Sequence, residues 1–184
     1  FGGNASPGVQ ALNESWNGSA WTEVADLNTA RANIVGIGTS TAALAASGYP
    51  SNSVAESWNG SSWTNVASLN TARNYPGGSS GTQTSALVFG GSPQKTNTES
   101  WDGSSWTEVA ELNTSRSNLA SVGTTTASLA FGGEGTAIVG STESWDGSSW
   151  TEVADLATAT YTNSGGGTNT LALNFTCLLY TSPS

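Results

Sequence analysis

The chain has no histidine, no methionine and one cysteine among 184 residues, and it sets four basic residues against thirteen acidic ones. Each shortage excludes a class of chemistry. Without histidine there is no Ser-His-Asp triad, no Cys-His pair and no His-containing metal centre in this segment. A lone Cys177 cannot close an internal disulfide. The four bases are Arg31, Arg73, Lys95 and Arg116, and the net charge is -9. A nucleic-acid binder's electrostatic footprint is missing, and an anionic membrane surface is disfavoured. No run approaches the roughly 20 apolar residues that span a bilayer. No basic segment followed by an apolar run marks a signal peptide, although the chain opens at Phe1 in the middle of a repeat. Neither cofactor nor membrane insertion is expected.

What is abundant points to strands. Gly accounts for 23 residues, only 9% of the chain is charged, and Ser, Thr and Asn are frequent. Short strands joined by turns use such residues; helices favour Leu, Glu, Lys and Arg. The last eight residues, Cys177 to Ser184, break this pattern as CLLYTSPS. They are similar to a translated transposon-adapter sequence, so a non-native tail is expected there and is set aside from fold reasoning.

A period governs the rest. ESWNGSAWTEVADLNTAR begins at Glu14, and close copies begin at Glu56, Glu99 and Glu143, at separations of 42, 43 and 44 residues. Repeats of 40 to 50 residues with several short strands each are the signature of propeller blades. Within a unit, a strand A (32 to 38, 117 to 123, more weakly after Arg73) leads through a GTxT turn into strand B (41 to 45, 84 to 91, 126 to 133). Apolar residues are adjacent in strand B, as in Ala86-Leu87-Val88-Phe89, so both of its faces are expected to be covered. Strands C and D flank Asn-Gly or Asp-Gly, read as a two-residue type I′ hairpin in which Trp16 faces Ser19 and Glu14 faces Trp21. The two indoles then sit diagonally on one face.

All eight Trp residues, Trp16, Trp21, Trp58, Trp63, Trp101, Trp106, Trp145 and Trp150, fall on this scheme as structural plates, each expected to be buried against the next blade. Glu14 and Arg31, Glu56 and Arg73, and Glu99 and Arg116 are each 17 apart and are read as structural ion pairs at blade edges or between blades. Glu143 is matched by Thr160.

These residues resemble a known family. A strand ending in Gly-Gly (Phe89-Gly90-Gly91, Phe131-Gly132-Gly133), an aromatic in the next strand (Trp101, Trp145), a second Trp five residues on, then Leu and Arg in a polar run, are together similar to the kelch repeat. Trp stands for the usual Tyr, and Ala46-Ser47-Gly48 replaces one double glycine. The near-identical units also resemble kelch-like arrays of marine phage and bacterial metagenomic proteins, some virion-associated. The resemblance implies an all-β, kelch-like β-propeller of four-stranded antiparallel blades. About four blades' worth is present over 1–176: a partial blade 1–30, blades at about 31–72, 73–115 and 116–159, and a partial blade 160–176. Two arrangements are open: a closed four-bladed ring, or the preferred fragment of a larger propeller.

Paired carboxylates such as Glu108 and Glu111, Glu152 and Asp155, or Glu23 and Asp26 recur in step with the blade and are read as a solvated rim. No catalytic residue and no metal ligand is assigned, and the chain is expected not to be an enzyme. The AB and CD turns barely change between units, whereas the BC loops and the residues past the DA arginine differ. Recognition concentrates in variable loops on a rigid scaffold. The candidate binding face is therefore Tyr49, Asn52, Tyr75, Gln94, Lys95, Asn118, Glu134 and Tyr161. The expected function is a non-enzymatic binding or structural propeller that presents this BC/DA face to a protein or glycan, extracellular or virion-associated. The alternative is an accessory propeller of a larger secreted carbohydrate-active enzyme.

Overall fold

The structure is a computed structural model that describes residues 1–5, 8–75, 77–161 and 164–176; the tail from Cys177 lies outside the described residues. Among the described residues there is no helix. An initial hairpin, β1 (Gly3–Ala5) and β2 (Gly8–Gln10), precedes an N-terminal half-sheet of β3 (Asn13–Trp16) and β4 (Trp21–Val24). Three complete sheets follow. They comprise β5 (Val35–Thr39), β6 (Ala42–Ala46), β7 (Ala55–Trp58) and β8 (Trp63–Val66); then β9 (Gly77–Thr82), β10 (Ser85–Phe89), β11 (Thr98–Trp101) and β12 (Trp106–Val109); then β13 (Ala120–Thr124), β14 (Ala127–Phe131), β15 (Thr142–Trp145) and β16 (Trp150–Val153). A C-terminal half-sheet of β17 (Ser164–Gly167) and β18 (Ala172–Phe175) ends the array.

Every complete sheet is an antiparallel meander in chain order, A-B-C-D. The A strands lie side by side, β5 against β9, β9 against β13 and β13 against β17, so they form the inner edge of a β-propeller-like array. Among the described residues the two half-sheets are separate: β18 is hydrogen-bonded to β17 only, and β3 to β4 only.

Strand B shows why its apolar residues are contiguous. Ala86 and Val88 point back and pack with Val35, Ile37 and Leu44 of the preceding sheet. Leu87 and Phe89 point forward onto Trp145 and Trp150 of the following one. Period-two alternation therefore delivers one residue of each pair to each neighbour, and neither face meets water.

The C–D hairpin differs from expectation. Trp16 pairs directly with Trp21, Ser15 with Thr22 and Glu14 with Glu23, around a four-residue loop, and the later copies repeat this register. The reason lies in the turn residue. Asn17 Oδ1 accepts hydrogen bonds from the backbone N–H of Ser19 (2.9 Å) and Ala20 (3.0 Å), so Asn acts as an acceptor cap and only Gly18 takes positive φ. Directly opposed indoles result, with centroids 5.1 to 5.5 Å apart.

The plates also face the other way. Trp101 and Trp106 pack against Leu44, Ala46 and Leu69 of the preceding sheet, not the following one. Six of the eight indoles are buried accordingly, but Trp16 and Trp21, on the N-terminal half-sheet, are 48% and 65% exposed.

The ion pairs bridge sheets as well. Arg31 binds Glu56 (2.9 Å), Arg73 binds Glu99 (2.6 Å) and Arg116 binds Glu143 (2.9 Å), all with side chains fully buried. The pairing of Glu14 with Arg31, Glu56 with Arg73 and Glu99 with Arg116 is therefore corrected: each arginine reaches the glutamate of the next motif copy, and Glu14 is left exposed.

Candidate functional site

The segment L-N-T-x-R, which follows the first three D strands and reads L-A-T-A-T after the fourth, is the joint between sheets. Leu69 N–H bonds to Ser53 of its own sheet (2.9 Å). Asn70 N–H (2.7 Å) and Thr71 N–H (3.1 Å) then donate to Glu99 of the next, while Asn70 Nδ2 donates to the Trp106 carbonyl (2.9 Å). Arg73 Nη1 donates to the carbonyls of Gly90 and Asn97, both at 2.9 Å. A buried ion pair is tolerated when its remaining polar atoms are bonded, and here one carboxylate takes three donors. Burial nevertheless pushes the guanidinium pKa of Arg31, Arg73 and Arg116 down, partly offset by the paired glutamates.

This joint brings the BC loops beside the DA connections. Isolated bridges link Ala32 to Tyr49, Asn74 to Ser92, Lys95 to Arg116 and Ser117 to Glu134. On the opposite side, Trp58, Trp101 and Trp145 donate their indole N–H to the AB turns at Ser40, Gln83 and Thr125. Constant turns thus occupy one side and variable loops the other. Of the candidate residues, Tyr49, Tyr75 and Gln94 are exposed, whereas Asn52, Lys95, Asn118, Glu134 and Tyr161 are half-buried. Lys95 is the one basic residue outside the buried clamps.

Backbone geometry singles out Tyr75. Equivalent positions Asn33 and Asn118 have φ of 56° and 54°, and Tyr75 has 43°. Asn tolerates the left-handed region, whereas a bulky aromatic there is a genuine outlier.

Four of the six recurrent carboxylates accept hydrogen bonds, while Glu23 and Glu152 are exposed. Asp26 and Asp155 accept from the N–H of Asn13 (3.1 Å) and Thr142 (3.2 Å) at the start of strand C. Glu111 accepts from Thr96 Oγ1 (2.6 Å), and Glu108 from Thr71 Oγ1 (2.8 Å). In the CD turns, hydrogen bonds from Ser149 and Ser148 hold the Asp146 carboxyl down at about 2, and those from Ser105 and Ser104 hold Asp102 lower still. Among the described residues no group of three or more His, Cys, Asp or Glu side chains could hold a metal ion.

One concavity was missed from sequence. A cleft of about 390 Å³ lies between the N-terminal half-sheet and the first complete sheet, lined by Phe1, Glu14, Trp16, Trp21, Ile37, Ala43, Trp58 and Trp63. It occupies the place where strands A and B would complete the half-sheet.

No family model and no curated protein matches the chain. Among solved structures, the chain is similar to YjhT, with a TM-score of 0.75 at 11% identity, over 90% of this chain and 69% of that one. At this identity the likeness concerns the fold alone, an all-β array of small antiparallel sheets.

Proposed function

We propose that the chain is a segment of a kelch-like propeller acting as a non-enzymatic binding module, extracellular or virion-associated, whose BC/DA loop face meets a protein or glycan. The observation that carries this reading is Tyr75. Holding an exposed tyrosine at φ 43° costs on the order of 1–3 kcal/mol, a cost that asparagine avoids at the equivalent positions. A strained, exposed aromatic on the same variable side as a second one, Tyr49, suits a polar or sugar surface: each offers a flat ring and a hydroxyl at small entropic cost. The engagement of Asp26, Glu108, Glu111 and Asp155 in hydrogen bonds within the array favours binding over catalysis.

A glycan array and a pull-down comparing the parent with Tyr49→Ala, Tyr75→Asn and Lys95→Ala test the reading. Loss of binding in at least one variant is expected, and binding unchanged by all three removes this face. Recovery of the flanking reading frame separates the alternative: an adjoining catalytic domain bearing histidines would make this an accessory propeller of a secreted carbohydrate-active enzyme.

A further inference from the structure

Two CD turns carry asparagine, Asn17 and Asn59, where the other two carry Asp102 and Asp146. The four turns are otherwise alike. All are exposed, and Gly18, Gly60, Gly103 and Gly147 take φ between 95° and 99°. At Asn59, Oδ1 accepts from the Ser61 N–H, the Ser61 hydroxyl and the Ser62 N–H, each at 2.9 Å. At Asp102 the same three donors lie at 2.8 Å. Asn17 repeats the arrangement with Ser19 (2.9 Å from both N–H and hydroxyl) and the Ala20 N–H (3.0 Å).

Three donors on one amide oxygen have the make-up of an oxyanion hole. They withdraw electron density from the Asn59 Cγ and would hold the charge that forms on Oδ1 when a nucleophile adds there. They also draw the side chain forward along the chain, over the peptide that joins it to Gly60. The nearest nucleophile in sequence is the Gly60 nitrogen, whose N–H donates to no group among the described residues, and no Cβ on Gly60 crowds the approach. The leaving group is unencumbered too: all the hydrogen bonds of the Asn59 side chain run to Oδ1, and none among the described residues uses Nδ2.

We propose that Asn17 and Asn59 are self-modification sites, where the turn promotes deamidation of its own asparagine to the aspartate that the other two turns already carry. The Gly60 nitrogen loses its proton to water or hydroxide and adds to Cγ. The three donors hold the resulting oxyanion on Oδ1; it collapses with cleavage of the Cγ–Nδ2 bond, and Nδ2 takes a proton from solvent and leaves as ammonia. Water then adds to Cγ of the cyclic imide, whose oxygen keeps the same donors, and breaks the bond from Cγ to the Gly60 nitrogen. That nitrogen regains a proton and a carboxylate remains. Opening at the other imide carbonyl would route the backbone through the side chain and lengthen a loop whose ends are fixed by the Trp58–Trp63 pair, so α-aspartate is the favoured product.

The chain itself displays the end state. N–H and O–H donors bond a carboxylate more strongly than an amide oxygen, and in the equivalent turn they hold the Asp146 carboxyl down at about 2. Each conversion adds one negative charge to a chain already at -9. The charge appears on the side of the constant turns, away from the variable loops.

Peptide mapping by mass spectrometry, with the chain incubated in mildly alkaline buffer either folded or unfolded in guanidinium, tests the proposal. Asn17 and Asn59 should deamidate severalfold faster in the folded chain, with α-aspartate in excess of β-aspartate. Asn70, whose Nδ2 donates to the Trp106 carbonyl, should stay an amide while the chain is folded. Ser61→Ala removes one donor and should lower the folded-to-unfolded rate ratio at Asn59 severalfold while the ratio at Asn17 in the same molecule holds; the loss is smaller than the roughly hundredfold of a buried oxyanion donor because the turn is open to water. Three results overturn the proposal: folded rates equal to or below the unfolded ones, a ratio at Asn59 indifferent to Ser61→Ala, or β-aspartate as the main product of the folded chain.

Discussion

Arg73 and Glu99 lie 26 residues apart in sequence and meet at 2.6 Å, fully buried, across the boundary between two consecutive sheets. The bond defines how the array is held. An arginine at the end of one unit is committed to the next unit's strand C, while the leucine four residues before it, Leu69, stays with its own sheet. Cohesion therefore runs through polar joints as well as through apolar plates.

Removing one partner of such a joint leaves a buried charge alone. Glu99→Ala is expected to destabilise the fold by about 3–5 kcal/mol, whereas Glu14→Ala, at an exposed carboxylate, should stay within about 0.5 kcal/mol. Urea unfolding of the two variants measures the contrast. Equal losses would remove the distinction between clamped and unclamped glutamates.

The indoles divide the same way. Trp101→Ala opens the core between the first and second complete sheets and should cost about 3–5 kcal/mol. Trp16→Ala truncates a ring that is 48% exposed and should cost under about 1 kcal/mol, a surface-type effect. Thermal unfolding at low protein concentration reads both.

Tyr75→Asn should raise stability by roughly 0.5–1 kcal/mol through relief of its left-handed backbone. The same substitution should weaken binding at the loop face. A melting temperature that falls would show that the tyrosine ring packs in a way that outweighs its strain.

The Asp146 carboxyl should titrate near pH 2, below its ordinary value of 3.8, and Asp102 lower. A folded-state pKa below the unfolded one stabilises the fold above pH 3.8, and the contribution is lost as pH falls toward 2. The asparagine turns at Asn17 and Asn59 carry no such titration. Carbon-13 NMR of the aspartate carboxyls follows it directly, and a midpoint near 3.8 for both would show that the serine hydrogen bonds are absent in solution.

Much of the architecture was legible in the chain. The near-constant 42- to 44-residue spacing of the Glu14, Glu56, Glu99 and Glu143 copies announces repeated sheets, and adjacent apolar residues at 86–89 announce a strand covered on both faces. The hairpin register was not, because Asn-Gly signals two different turns: one uses Asn for positive φ, the other uses its side chain as an acceptor. Nor could spacing choose partners for the arginines. In a periodic chain Arg73 stands at a fixed distance from both Glu56 and Glu99, and only the path of the 69–73 segment past its own sheet decides between them. Ser47 shows how a departure is absorbed: it adopts the left-handed φ of 67° held elsewhere by glycine, and its hydroxyl donates to the Arg73 carbonyl. Among the loop-face candidates, variability marked the side of the array, but the strain at Tyr75 is a backbone property with no sequence signature.

A double-mutant cycle at Arg73 tests the inter-sheet joint most directly. Pairing Arg73→Met with Glu99→Gln should give a coupling of about 1–3 kcal/mol, and pairing it with Glu56→Gln should give additive losses within about 0.5 kcal/mol. Strong coupling to Glu56 with none to Glu99 would place the ion pair inside a unit and contradict the account.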